Sequence, residues 1–280
     1  MAIRPVTALR SRIYRIATRL GDERYERLRA SGAGRAALRG AGRVVQTGPI
    51  VIAAGLGSGL LLDTRAFGVD HIQAHGAVRG ALEPSVQEAL RRSVLPGCVV
   101  VDVGASFGFF TLLAARLVGP TGHVHAFEPC AEDAAALRRN LALNDLGERV
   151  TVHDAAVSDR AGSAPFVVVR ERGWSHLAQR GRHPEAVATR EVAVETLDGL
   201  LDALTRVDLV KIDVEGSEAH VLDGARELLR VRAPVVVCEL HETNAEVCDR
   251  LEALGYVFEN IDGAEPVRTA GPVHLLARRG

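Results

Sequence analysis

The chain contains a single lysine, Lys211, and it stands among acids. The segment Val210-Lys211-Ile212-Asp213-Val214-Glu215-Gly216 alternates, so a strand here would turn Lys211, Asp213 and Glu215 to one face. A cation beside two carboxylates on an apolar strand is costly unless the charges are paired, and such groups mark a site more often than a core. Downstream, Glu239 and His241 share a strand face in Val237-Cys-Glu239-Leu-His241, which supplies an acid and a candidate general base. For His241 a structural role is as well supported as catalysis.

Three more segments end apolar runs with polar residues. The first, Asp102-Val-Gly104-Ala105-Ser106-Phe-Gly108, spaces two glycines four apart at a strand-to-helix turn. Glycine there lets backbone approach a ligand closely. The dinucleotide fingerprint G-x-G-x-x-G is missing, and Asp102 would repel a pyrophosphate but help hold an ammonium group. The second, Phe127-Glu128-Pro129, offers a carboxylate that can accept from both hydroxyls of a ribose. The third, His153-Asp154-Ala155, offers an acid for an adenine amino group or simply a surface aspartate.

The elements that must position these residues follow from periodicity. A helix is predicted from Pro84 to about Val94, then strands Val99–Val103, His123–Phe127 and Val150–Val157 alternating with helices over 108–118 and 132–143. An excursion carries strands near Phe166–Val169 and Glu191–Val194. A helix over 197–204, strand Leu209–Val214, a helix over 217–229, strand Val235–Leu240, a helix over 245–254 and closing strands Tyr256–Ile261 and His274–Ala277 complete the series. Apolar strands alternating with helices predict a doubly wound α/β sheet, whose ligands bind beyond the strand C-termini.

The chain divides near residue 80, which predicts an N-terminal extension over 1–80 and a main domain over 81–280. Leu9, Ile13, Ile16, Leu20 and Leu28 recur at helical spacing among seven arginines, predicting a basic amphipathic helix or pair of helices that packs on the core or on a second subunit, as in a homodimer, with a membrane-surface or acidic-partner role as the alternative. Two short strands are expected within 44–62, joined through Gly55, Gly57 and Gly59.

A net charge of −1 gives no electrostatic case for nucleic acid. The basic N-terminus lacks a signal-peptide core, and no apolar run is long enough to span a bilayer, so a cytoplasmic protein is expected. Cys98, Cys130, Cys238 and Cys248 lack metal-ligand spacing and read as buried apolar residues, with no metal site expected of them.

The ordered set of Glu83-Pro84, Pro96-Gly97, Val101 to Thr111, Phe127-Glu128-Pro129, Asn140 with Asn144, Ala156-Val157-Ser158-Asp159, Thr196-Leu197-Asp198, Lys211 to Glu218, Val221-Leu222-x-Gly224-Ala225 and Glu239 resembles the FkbM-type family of S-adenosylmethionine-dependent methyltransferases. The resemblance runs from about residue 80 to 260. It implies a Rossmann-like class I methyltransferase fold, with a mostly parallel seven-stranded sheet covered on both faces. It implies S-adenosylmethionine as cofactor and O-methylation of a small-molecule or sugar hydroxyl.

By resemblance, Asp102, Gly104, Ala105, Ser106 and Gly108 line the methionine side, Glu128 takes the ribose, and Asp154 and Ala155 lie near adenine. Lys211, Asp213 and Glu215 sit at the methyl-transfer mouth. Ser106 stands where the family often has asparagine. Trp174-Ser175-His176-Leu177 occupies the family's Ser-Leu region but brings a Trp and a His, and is expected to touch the acceptor.

The proton acceptor stays open among Asp213, Glu215, Glu239 and His241. A divalent cation on Asp213, Glu239 and Glu215 is the rival means of activating the acceptor. The rival classes are an NAD-dependent oxidoreductase, weakened by the missing fingerprint, and a catalytically silent binding module.

Overall fold

A computed structural model describes residues 31, 48–63, 65, 76–169, 174–181 and 183–280. The helix predicted within 7–30 lies outside these residues. The first described elements are a hairpin of β1 (Pro49–Val51) and β2 (Leu61–Asp63), followed by α1 (Pro84–Ser93). Proline starts α1 where its missing N–H is no loss, and Arg91 and Arg92 in the last turn suit the helix dipole.

The main sheet is built from β3 (Val99–Val103), β4 (His123–Phe127), β5 (Val150–His153), β10 (Leu209–Ile212), β11 (Val235–Leu240), β12 (Tyr256–Asn260) and β13 (Val273–Arg279). Its order is β12-β13-β11-β10-β3-β4-β5. The pairings from β11 to β5 are parallel, while β13 runs antiparallel to both β11 and β12. The expected mostly parallel sheet is therefore mixed. β13 follows β12 without a crossover helix, which permits only antiparallel pairing.

Helices α1, α2 (Phe109–Leu117) and α3 (Ala131–Leu143) pack on one face, around Leu90, Leu113 and Leu137. Helices α4 (Glu218–Asp223), α5 (Arg226–Arg232) and α6 (Asn244–Ala253) pack on the other, around Leu222, Leu228 and Leu251. The single helix expected over 217–229 is broken at Gly224. A Cβ there would lie 2.0 Å from the Ser158 carbonyl, so only glycine lets the two segments meet.

The strand expected over Val150–Val157 also breaks. β5 stops at His153, and β6 (Ala156–Val157) opens a second sheet with β7 (Gly162–Val169), β8 (His176–Leu177) and β9 (Ala186–Glu195), in the order β6-β9-β7-β8. A short 3-10 turn over Asp198–Leu200 stands where a helix over 197–204 was expected.

Asn140 and Asn144 of α3 clamp the early hairpin. Asn140 Oδ1 accepts from Asp63 N–H at 2.8 Å, and Asn144 exchanges hydrogen bonds with the Leu61 backbone at 2.7 and 2.8 Å. All four cysteines are buried free thiols. Among the described residues no helix is long and apolar enough to cross a membrane.

Strand alternation sorts the central residues. Val101, Val103, Val210 and Ile212 face the second core, which leaves Asp102 and Lys211 on the α1–α2 face. Register then sets Lys211 opposite Asp102, and Glu239 opposite His274. One sheet face thus gathers ionisable groups from four neighbouring strands.

Candidate active site

A cavity of about 530 Å³ opens beyond the C-terminal ends of β3, β4, β10 and β11. That is where an open α/β sheet holds its ligands, and the volume suits a small molecule. Every expected site residue lines it except Asp154 and Gly108; Gly108 faces Leu137 of α3, where an added Cβ would lie 2.2 Å from its side chain. The Asp154 carboxylate turns to solvent and pairs with Arg138 at 2.8 Å. Beyond β5 the chain leaves the sheet, so only Ala155 of that pair faces inward.

The turn after β3 is shaped by close packing. Gly104 has φ +80°, and a Cβ there would meet the Asp213 carbonyl oxygen at 1.8 Å. The Gly104 and Ala105 N–H groups both donate to the Phe127 carbonyl. Ser106, at φ 50°, donates its N–H to Glu128 Oε2 at 2.8 Å, and Cys130 donates to Oε1 at 2.7 Å. Ser106 Oγ is buried without a hydrogen-bond partner.

Glu128 is itself buried. Burial, reinforced by the Asp133 carboxylate, pushes its pKa up to about 8 despite the two backbone donors. Asp133, in the first turn of α3, lines the same end of the cavity. Sequence reading missed it, because an acid at a helix start has an ordinary explanation in the dipole.

At the other end Lys211 lies buried. Its Nζ stands 3.2 Å from Asp213 Oδ2, 3.7 Å from Asp102 Oδ1 and 5.1 Å over the Phe110 ring. Burial alone would lower the lysine pKa, but Asp213 and Asp102 outweigh it and hold it above the ordinary value. Asp102 Oδ2 accepts from the Thr111 hydroxyl at 2.6 Å. Burial, with the charges of Glu239, Glu83 and Glu215, pushes Asp213 up to about 8 against the pull of Lys211.

β10 ends at Ile212, so simple alternation does not carry Asp213 and Glu215 onto one strand face as expected. Asp213 still reaches Lys211. Glu215 enters a left-handed turn (φ 55°), points its carboxylate to His241 Nε2 at 3.6 Å, and receives Arg180 on its carbonyl and carboxylate. Burial raises its pKa.

His241 is caged by acids. Its Nδ1 donates to fully buried Glu218 at 3.0 Å, and Glu218 also accepts from the Thr243 hydroxyl and the Gly216 N–H. Its Nε2 lies 3.4 Å from Glu239 Oε1. Burial opposes protonation, but Glu218, Glu239 and Glu215 prevail and push the pKa up to about 11. With its proton held among Glu218, Glu239 and Glu215, His241 is placed to orient these carboxylates.

The remaining wall comes from the second sheet. Trp174 is half-exposed and meets His183 edge-on at 5.6 Å. Ser175 Oγ accepts from the Val169 N–H, and buried His176 engages the Trp174 carbonyl through Nδ1 at 2.9 Å.

Three groups among the described residues could hold a metal, each with its ligand atoms within 4.8 Å of one another: Glu83 with Glu239 and His274; Asp213 with Glu239 and His241; and Glu128 with Cys130 and Asp133. Glu83, Glu218 and His274 escaped the site reading because only tertiary packing brings them to β10 and β11.

Residues 102–258 match the Methyltransferase FkbM domain. The chain is 30% identical over 218 residues to 31-O-demethyl-FK506 methyltransferase FkbM of Streptomyces tacrolimicus, covering 66% of this chain and 81% of that protein. It is 32% identical over 157 residues to methyltransferase sdnD of Sordaria araneosa, covering 46% of this chain and 60% of that one. The crystal structure of methyltransferase FkbM from Methylobacillus flagellatus KT superposes with a TM-score of 0.44 at 16% identity, over 73% of this chain and 53% of that one. The match spans more than half of the residues, including the strand ends that build the cavity, and the chain belongs to the FkbM methyltransferase family.

Proposed function

We propose that the cavity binds S-adenosylmethionine and that the protein methylates a hydroxyl of a small-molecule natural product or sugar. The observation that carries this reading is the Glu128 carboxylate at the end of β4. It uses one lone pair of each oxygen on a backbone N–H and keeps others for two ribose hydroxyls.

The rest of the cavity fits the same ligand. Ser106 Oγ and Asp102 Oδ1 are buried polar atoms without hydrogen-bond partners, on the side where a methionine moiety would lie. Gly104 keeps that wall free of side chains, and Ala155 closes the adenine end. When bound, this cofactor supplies a sulfonium methyl already activated for displacement.

The chain's own work is positioning and proton handling. Trp174 and His176 wall the acceptor side and exclude water. Asp213, fixed by Lys211, is the carboxylate facing the cavity that takes the hydroxyl proton. The charged His241 orients Glu239 and Glu215 rather than accepting a proton. One relative is named for an O-demethyl acceptor, which supports oxygen as the methylated atom.

Calorimetric titration with S-adenosylhomocysteine and with NADH tests the reading. Micromolar binding of the first and none of the second is expected. With labelled methyl donor and a hydroxylated panel, Asp213→Asn should lower turnover about 100-fold or more while leaving homocysteine-adduct affinity intact. Binding of NADH alone would sink the proposal.

A further inference from the structure

Beside the cavity, two buried polar atoms face each other without a hydrogen bond. They are Glu83 Oε2 and His274 Nε2, 3.3 Å apart. Glu239 Oε2 lies 3.4 Å from the same His274 nitrogen. Both contacts are at ion-pair distance without hydrogen-bond geometry, and a buried polar atom left without a hydrogen bond costs about 1–3 kcal/mol, so the standoff at Glu83 Oε2 and His274 Nε2 needs an explanation.

We propose that Glu83, Glu239 and His274 form a binding site for one divalent transition-metal ion.

The spacing supports it. An imidazolium with two carboxylates to choose from would close on one of them at about 2.7–2.9 Å. His274 does so on its other side, where Nδ1 lies 2.8 Å from Asp262 Oδ2. Its Nε2 stands back from both remaining carboxylates. Ligand bonds of about 2.0–2.2 Å set neighbouring donors about 3.0 Å apart at a right angle and about 3.4 Å apart at a tetrahedral one. The observed separations fall in that range.

The support around the three residues has the same form. A ligating histidine ordinarily gives its second nitrogen to a carboxylate, which fixes tautomer and ring orientation. Asp262 fills that role and is itself held by the Ser85 hydroxyl at 2.5 Å and the His274 N–H at 2.7 Å. Glu239 and His274 are direct cross-strand partners, so the sheet register alone brings them together.

Glu83 arrives at a conformational cost. It adopts φ 42°, ψ 70° at the start of α1, and its side chain does not cap the helix. A non-glycine residue in that region persists only when its surroundings demand it, and such residues cluster at functional sites. Here the turn sends the carboxylate to His274 instead of to the helix N-terminus.

One imidazole with two carboxylates suits manganese, ferrous iron or zinc. Glu83 and Glu239 also line the cavity, so the ion stands at its wall. The other Glu239 oxygen faces His241, so the ion's charge reaches the acceptor side through one shared carboxylate. None of this depends on which methyl donor or acceptor the cavity takes.

The test is uptake of Mn²⁺ by chelator-stripped full-length protein, read from loss of the free-ion paramagnetic resonance signal. One bound ion per chain is expected, with coupling to a single imidazole nitrogen. His274→Ala should remove that coupling, and both His274→Ala and Glu83→Gln should weaken binding roughly a hundredfold. His241→Ala should retain both affinity and coupling. Circular dichroism and thermal unfolding check that the variants fold; should His274→Ala fail, wild-type uptake and Glu83→Gln decide. No wild-type uptake at millimolar Mn²⁺ overturns the proposal. So does binding that is lost in His241→Ala and kept in His274→Ala.

Discussion

Ser106 donates its N–H to Glu128 across 2.8 Å, and this bond joins the turn after β3 to the end of β4. The segment expected beside a methionine moiety and the one expected to hold a ribose are therefore one mechanical unit. Glu128→Gln keeps the shape but replaces one of the two acceptor oxygens with an amide nitrogen. Leaving a buried hydrogen-bond partner unsatisfied costs about 1–3 kcal/mol, so affinity for S-adenosylhomocysteine should fall roughly 10- to 100-fold by calorimetry, with the acceptor KM little changed.

The same residue makes stability depend on pH. Burial lifts Glu128 from its ordinary 4.5 to about 8, so between these values the folded chain holds a proton that the unfolded chain releases. Its stabilising contribution is complete below the lower value and is lost as pH rises through the upper one. Urea unfolding at about pH 6 and about pH 9 should show the wild type losing stability relative to Glu128→Gln. A constant difference between the two proteins would refute this.

Lys211 answers two buried carboxylates at once, Asp102 and Asp213. Removing one member of a buried charge set costs about 3–5 kcal/mol, because the others are left uncompensated. Lys211→Met should lose stability on that scale in denaturant unfolding. Adding Asp102→Asn should restore part of it, which an independent role for each residue would not allow.

Much of the central architecture was legible because it is local. Val99–Val103, His123–Phe127 and Val235–Leu240 begin and end where apolar runs and flanking turn residues place them. The breaks were not legible. Nothing within Val150–Val157 says that β6 will pair with β9, and the interruption at Gly224 depends on a carbonyl sixty-six positions earlier in the chain. The site divides in the same way. Asp102, Glu128 and Lys211 stand at strand ends and announce themselves, whereas Glu83 and His274 acquire chemistry only by meeting Glu239. His241 stood out by residue type, but its protonation is set by Glu218 at 3.0 Å, a contact between separate elements.

Gly104 offers a test of how tightly the turn is fitted. It needs positive φ, and a methyl group would run into the Asp213 backbone. The left-handed conformation alone costs a side chain about 1–2 kcal/mol. Gly104→Ala should lose at least that in unfolding free energy and should also impair S-adenosylhomocysteine binding, since relieving the clash moves Asp213 or the turn. Unchanged affinity would show that the turn can yield without disturbing the cavity.

The small sheet leaves the main fold through β6 and returns through β9, and these two strands lie side by side, Ala156 beside Val194 and Val157 beside Glu195. The two ends of the excursion are thereby stapled together whatever lies between them, and closing a longer span costs only slowly growing entropy. The segment that presents Trp174 and His176 can lengthen, shorten or be exchanged for another without re-registering any of the seven strands beneath. That wall of the cavity can drift during evolution, or be transplanted in the laboratory, as an interchangeable part.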